Sequence, residues 1–280
     1  FKYLSDYLVI RKDKSKYEID GIIVTNNQKH TRNKSGNPDY AFAFKTVLDS
    51  QKATSKIIDI EWNKSKDGYI NPTIIIEPVE IGGVTIKRVT ANNAKFVVDN
   101  SLGKDAIIEI IRSGDVIPKI ENVVEKAKTI DLPDGEWEWS KTGVDIICRD
   151  LDCDAVKIKN IHYFFATLET KGLGEKIVER LFNANINTIE KILKSTATDF
   201  ESVEGFKEKS AENLYQSIKK STKNVPMHIL MKASNKLGHG MGSERVKSVL
   251  NQYPNILEKY KTWSKKDFID KLKIIDGWGR

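Results

Sequence analysis

The sequence predicts a multidomain α+β protein, with a β-rich first half and an all-α second half. Two observations support this. The first half carries short β-branched runs separated by turn residues, the pattern of a small barrel or sandwich. Beyond about residue 160 the apolar residues change to helical spacing. Strands followed by helices argue for separate domains rather than one interleaved fold.

The predicted strands are Tyr17–Val24, Ala41–Phe44, Ile57–Trp62, Thr73–Glu77, Val84–Val89 and Ala106–Ile111. Lys66-Asp67-Gly68, Gly82-Gly83 and Ser113-Gly114-Asp115 supply turns between them. Residues 123–160 are transitional, with a Leu132-Pro133-Asp134-Gly135 turn and Trp137 and Trp139 at strand period. From Gly174 to Phe182, residues Ile177, Val178, Leu181 and Phe182 fall on one helical face. Thr188–Leu193, Ser210–Ile218, Glu244–Leu250 and Lys266–Leu272 repeat that amphipathic style.

Across its 280 residues the chain has 39% hydrophobic and 30% charged residues and a net charge of +7. That balance permits a polyanionic partner, but a lysine-rich solvated surface has the same composition. Cys148 and Cys153 are the only cysteines, so a disulfide framework is excluded and a reducing intracellular compartment is expected. No run approaches the roughly 18 apolar residues of a membrane span. The opening Phe1-Lys2-Tyr3 lacks an initiator Met and reads as an internal cut or processed end.

A glycine repeat marks the helical half. Gly172-Leu173-Gly174, Gly205-Phe206-Lys207, Gly240-Met241-Gly242 and Gly277-Trp278-Gly279 recur roughly every 35 residues. Val178, Ala211 and Val246 follow the first three copies at a constant offset. The first glycine permits a turn with positive φ, and the second lets a ligand approach the backbone. A helix then begins with free N–H groups at its positive end, where a phosphate can sit. Lys176, Lys207, Lys209 and Arg245 stand beside these copies. The arrangement resembles the helix-hairpin-helix family and implies sequence-independent contact with a DNA backbone. Lys207 in place of glycine predicts a second hairpin that is distorted or that binds through its side chain.

The first half is similar to the NAD-dependent DNA ligases. Glu18-Ile19-Asp20-Gly21-Ile22-Ile23-Val24 resembles the late nucleotide-binding motif of that family, and Ala41-Phe42-Ala43-Phe44-Lys45 resembles the motif that follows. Ile60-Glu61-Trp62-Asn63-Lys64-Ser65-Lys66-Asp67-Gly68, Glu77-Pro78-Val79, Arg88-Val89-Thr90-Ala91-Asn92-Asn93 and Arg112-Ser113-Gly114-Asp115-Val116-Ile117-Pro118 follow in family order. Thr142-Gly143-Val144-Asp145-Ile146 carries the match into the helical half, where Glu208–Leu214 resembles the second hairpin. The resemblance implies the end of a nucleotidyltransferase domain at 1–48, an OB-fold barrel at 49–122 and a metal-free remnant of a zinc module at 123–160. A helix-hairpin-helix array at 161–280 completes it.

It also implies that Asp20, Gly21 and Lys45 line an AMP pocket, with Asp20 and Lys45 catalytic. Lys45 would lie against the α-phosphate, since phosphoryl transfer develops charge that a fixed ammonium offsets. Lys66, Arg88, Gly172, Gly174, Gly205, Lys207, Gly240 and Gly242 are the implied DNA contacts. NAD as AMP donor, magnesium or another divalent ion, and nicked duplex DNA are the implied cofactors and partner. The cytoplasm of a bacterial or virus-infected cell is the implied location.

The departures from the family are specific. Thr25 stands where the family has a lysine, and Lys66 stands where it has an arginine, losing the bidentate fork. Two cysteines replace four, and isolated His162 does not complete a tetrahedral set, so zinc is not expected. No Lys-x-Asp-Gly nucleophile motif occurs in these residues, so self-adenylation is expected to require an N-terminal remainder of the ligase. The alternative reading is a non-catalytic OB-fold and helix-hairpin-helix module of repair or replication. It leaves Asp20-Gly21 and Lys45 unexplained. A helicase or nuclease partner would carry a P-loop or an acidic metal cluster, and neither motif is present.

Overall fold

The structure is a computed structural model that describes residues 2–17, 19, 21–31, 36–45, 52–113, 117–238 and 240–275. It divides into two compact units, one of residues 1–63 and 70–147 and one of residues 64–69 and 148–280.

The first unit opens with α1 (Lys2–Lys14), a helix where only strands were expected. No Gly or Pro interrupts this stretch, Arg11, Lys12 and Lys14 complement its C-terminal dipole, and Leu8 is its buried anchor. Among the described residues of the run expected as a strand over Tyr17–Val24, the strand is β1 (Ile22–Thr25). Strand β2 (Ala41–Phe44) pairs with it antiparallel, in the register Ile22 to Phe44 and Thr25 to Ala41. The intervening loop is tied by Asn26 N–H to Tyr40 O at 2.9 Å and by stacking of His30 on Tyr40 at 4.0 Å.

The rest of this unit is a closed barrel. Its strands are β3 (Lys52–Lys64), β4 (Tyr69–Ile81), β5 (Val84–Thr90), β6 (Ile107–Ser113) and β7 (Ile117–Glu125). They run β3-β6-β7-β5-β4, and β4 returns to pair with β3, which closes the ring. Pairing is antiparallel except for β5 with β7, where Thr90 meets Lys119. That is the strand order of an OB-fold. Several strands are longer than the expected apolar runs, because polar residues such as Lys52 and Asn63 extend the ladder beyond the core. Ile57, Ile74, Ile76, Val97, Leu102, Ile108 and Ile110 fill the interior.

Helix α2 (Ala94–Asp99) plugs the connection from β5 to β6. Asn93 caps it, its side chain accepting from Phe96 N–H at 2.8 Å. The Asn92-Asn93 pair at the end of the ligase-like motif is therefore a helix start. Strand β7 reaches Glu125, into the segment expected as connector, and two short strands follow, β8 (Trp137–Trp139) and β9 (Ile146–Cys148). The expected 123–160 connector is thus divided, residues through 147 grouping with the first unit and those from 148 with the second.

The helical unit contains α3 (Asp154–Thr167), α4 (Glu175–Asn183), α5 (Ile189–Lys194), α6 (Ala197–Glu201), α7 (Glu208–Ser221), α8 (Met227–Ala233), α9 (Ser243–Gln252), α10 (Ile256–Lys259) and α11 (Lys265–Lys273). Val178 and Leu181 are fully buried, with Ile177 and Phe182 packed beside them, as the helical face predicts. They meet Phe164, Phe165, Phe200 and Leu214 in one core. Full burial of Phe165 alone stabilises by about 3 kcal/mol. A second cluster, Val249, Ile256 and Ile275 with Tyr253, Trp263 and Phe268, holds the last helices together. Among the described residues no helix is long and apolar enough to cross a membrane.

Candidate nucleic-acid interface and nucleotide pocket

Three of the four glycine copies form turns between helices: α3 to α4, α6 to α7 and α8 to α9. Gly172, Gly205 and Gly240 have φ of +80°, +88° and +84°, a conformation that strains any residue with a Cβ. The residue two positions on is the N-cap of the next helix: Gly174 (φ −72°, ψ 166°), Lys207 (φ −127°, ψ 163°) and Gly242 (φ −72°, ψ 166°). These are extended conformations open to any residue. Lys207 therefore does not distort the second hairpin, contrary to one of the two expectations. It starts α7 as glycine starts α4 and α9, and its side chain is exposed.

The same geometry distinguishes Gly174 from the turn glycines. Its φ does not require glycine, and a Cβ there would meet nothing within 4 Å. In each hairpin the constant-offset residue is buried, and its N–H donates to the N-cap carbonyl. Val178 bonds Gly174 at 3.0 Å, Ala211 bonds Lys207 at 2.9 Å and Val246 bonds Gly242 at 3.1 Å. The fourth copy, Gly277-Trp278-Gly279, lies outside the described residues.

The helix starts differ in how their N–H groups are satisfied. Asn93, Thr188, Thr196 and Ser264 cap α2, α5, α6 and α11 with a side-chain oxygen. Helices α4, α7 and α9 receive no cap from the side chain of the N-cap residue, a property shared with α3 and α8, although at α7 the Ser210 Oγ accepts from Lys207 N–H at 2.8 Å. Only at α4, α7 and α9 does the uncapped start follow a positive-φ glycine. Lys176, Lys207, Lys209 and Arg245 beside them are exposed. Uncapped N–H groups, the helix dipole and adjacent cations together suit an anionic oxygen.

A cation that sequence reasoning missed joins this surface. Arg180 of α4 lies against the second hairpin, with Nη1 2.6 Å from where a Cβ on Gly205 would stand. Gly205 thus serves both the turn and the close approach of a guanidinium from the preceding hairpin. No sequence signal marks Arg180, because its neighbour is 25 positions away and glycine has no side chain to pair with.

In the first unit, Gly21 and Lys45 come together where β1 begins and β2 ends. A Cβ on Gly21 would stand 2.7 Å from Phe44 O and 2.9 Å from Lys45 Cγ, so only glycine lets the two segments approach this closely. Lys45 is exposed and Thr25 ends β1 opposite Ala41. Asp20 lies outside the described residues. Of the expected pocket residues, the fold brings together Gly21 and Lys45. The approach packs the Lys45 side-chain stem directly against the Gly21 backbone.

Arg88 on β5 pairs with Glu61 on β3 through two guanidinium hydrogen bonds, one of them 2.9 Å long. The hydrogen bond to Glu61 raises the Arg88 pKa further above its ordinary value. Lys66 belongs to the helical unit and is already engaged. Its Nζ donates to Asp67 Oδ2 at 2.7 Å and Asn235 Oδ1 at 2.6 Å, and lies 4.5 Å from the centre of the Tyr163 ring. In the remnant of the expected zinc module, Cys148 Sγ donates to Asp150 O at 3.2 Å, and Lys64 Nζ donates to Cys153 Sγ at 3.6 Å. Among the described residues no three His, Cys, Asp or Glu side chains converge to hold a metal.

Comparison with known proteins agrees with this architecture. Residues 54–131 match the NAD-dependent DNA ligase OB-fold domain, and residues 166–220 match the SAM-like helix-hairpin-helix tandem. The chain is 42% identical over 276 residues to a DNA ligase of Acanthamoeba polyphaga mimivirus, covering 98% of this chain and 43% of that protein. It is 36% identical over 222 residues to DNA ligase 1 of Clostridium acetobutylicum, covering 73% of this chain and 33% of that protein. A Clostridium tetani DNA ligase is 32% identical over 238 residues, 79% of this chain and 35% of that protein. The chain therefore spans less than half the length of these relatives. The chain therefore carries the OB-fold domain of the NAD-dependent DNA ligases followed by a helix-hairpin-helix tandem, and it aligns with one portion of longer DNA ligases.

Proposed function

We propose that this chain is the part of an NAD-dependent DNA ligase that holds nicked duplex DNA and completes the AMP pocket during nick sealing. The observation that carries the reading is one backbone pattern repeated in three hairpins, in a chain whose barrel matches the OB-fold of those ligases. A bare OB-fold and hairpin binding module has no use for the Gly21 and Lys45 approach. The three hairpins seat successive phosphates on the N-termini of α4, α7 and α9, through Gly172, Gly174, Gly205, Lys207, Gly240 and Gly242. Lys176, Lys209 and Arg245 add charge, and Arg88 adds a guanidinium on the barrel. This grip reads backbone rather than bases.

In the first unit Lys45 holds a nucleotide phosphate and Asp20 orients the ligand hydroxyls or a metal-bound water. NAD, when bound, supplies the AMP that activates the nick, with magnesium or another divalent ion. The attacking lysine belongs to an N-terminal remainder, and the enzyme works in the cytoplasm of a bacterial or virus-infected cell.

The test is fluorescence anisotropy with nicked and intact duplexes across a salt series. Affinity is expected to fall steeply with salt, log K changing by about −0.9 per phosphate contacted. It is expected to vary little with base sequence. Salt-insensitive or strongly sequence-dependent binding would overturn the proposal.

A further inference from the structure

The helical unit contains a polar network that neither the family resemblance nor the hairpin repeat assigns. Asn235 stands five residues before the Gly240 turn with φ +52°, a left-handed conformation. Its amide nitrogen donates to Asp67 Oδ1 at 2.8 Å and Asn160 Oδ1 at 3.0 Å, and its carbonyl oxygen accepts from Lys66 Nζ at 2.6 Å. Asn160, on α3, donates in turn to Lys66 O at 2.9 Å and Val156 O at 3.1 Å. All four side chains are half-buried. They unite three segments distant in sequence but all within the second unit: residues 64–69, α3, and the stretch leading to the third hairpin. A cleft of about 370 Å³ lies beside the network, lined by Lys66, Tyr163, Asn235 and the turn residues Gly240, Met241 and Gly242.

We propose that Asn235 and Lys66 are positioning residues for the third hairpin: they latch the stretch before Gly240 so that the N-terminus of α9 presents its N–H groups in line with those of α4 and α7. Three features support this. Asparagine is among the few residues that tolerate a left-handed backbone, so the side chain and the turn are chosen together. The amide uses both its donor and its acceptor faces, which fixes its direction. The Lys66 ammonium is committed to Asp67, Asn235 and the Tyr163 ring, so it acts on DNA through the hairpin it holds. The effect on DNA rests on the function proposed above, whereas the latch itself is tested without DNA.

Asn235→Gly keeps the left-handed backbone and removes the three bonds, and Lys66→Met keeps the side-chain length and removes the ammonium. In the full chain, hydrogen exchange of the amides of residues 240–246 is expected to accelerate several-fold in both variants, while amides of α4 and α7 stay as protected as in the parent. Duplex binding is expected to weaken ~5- to 10-fold in either variant, and no further when they are combined, since contacting residues couple non-additively. The salt slope should drop by about one phosphate. Lys66→Arg, which retains a cationic donor, is expected to restore most of the affinity. Parental exchange rates in Asn235→Gly would overturn the latch whether or not the chain binds DNA. Fully additive losses in the double variant would also overturn it, because Lys66 would then touch DNA independently.

Discussion

Lys207 holds in the second hairpin the backbone position that Gly174 holds in the first. Both are N-caps with extended ψ, 163° and 166°, and both accept a hydrogen bond from the buried residue four positions on. The exchange of glycine for lysine is conformationally neutral, so its consequence lies in charge. Lys207→Gly is expected to leave the urea midpoint within experimental error of the parent. It should lower duplex affinity a few-fold and reduce the salt slope by about 0.9, one phosphate contact. An unchanged slope would mean that Lys207 points away from the DNA.

The two glycines of a hairpin are expected to respond differently to alanine. Gly205→Ala places a Cβ at φ +88° and against Arg180 Nη1, and should destabilise the helical unit by about 1–2 kcal/mol. Gly174→Ala, at φ −72° with open space around it, should be neutral or stabilise by a few tenths of a kcal/mol. Urea denaturation of both variants checks this. Equal losses would contradict the division of labour between turn and approach.

Two capping boxes predict acid sensitivity. Asp199 accepts from Thr196 N–H at 2.7 Å, and Asp267 accepts from Ser264 Oγ at 2.6 Å. The Thr196 backbone and hydroxyl hold the Asp199 pKa below its ordinary value, and the Ser264 hydroxyl and backbone do the same for Asp267. A depressed folded-state pKa stabilises above the unfolded value and loses that contribution as pH falls through the folded one. With an unfolded value of 3.8, the loss occurs below that pH. Denaturation at pH 5 and pH 3 should show a smaller acid-induced drop in Asp199→Asn/Asp267→Asn than in the parent. A parental drop in that variant would assign the acid sensitivity to other carboxylates.

Lys45 tests the nucleotide pocket. In a longer ligase carrying this sequence, Lys45→Ala should lower nick sealing by ~100-fold or more, the usual cost of removing one preorganised charge from a phosphoryl-transfer site. Duplex affinity should be unchanged. Gel analysis of a labelled nicked duplex gives the first quantity and anisotropy the second. Unimpaired sealing would remove Lys45 from the pocket.

Much of the architecture was legible in local patterns. The Ile177, Val178, Leu181 and Phe182 face, the β2 strand, and the shared offset of Val178, Ala211 and Val246 all express short-range periodicity, which a linear reading detects. The order of the ligase-like motifs around Gly21, Lys45 and Arg88 pointed to the family for the same reason. Helix α1 escaped because its single buried residue, Leu8, leaves no periodic stripe, and the DNA-face role expected of Lys66 omitted the bonds it makes.

The sequence by itself therefore determined the two-part α+β architecture, the turn glycines at 172, 205 and 240, and the likeness to the ligase OB-fold and hairpins. Only the tertiary structure decided that Lys207 is neutral to the backbone, that Gly205 accommodates Arg180, and that Lys66 is spoken for by Asn235, 169 positions away. The physical reason is range. Dihedral preference and amphipathic spacing act over a few residues, whereas the environment of a charge depends on groups that approach only when the chain has folded.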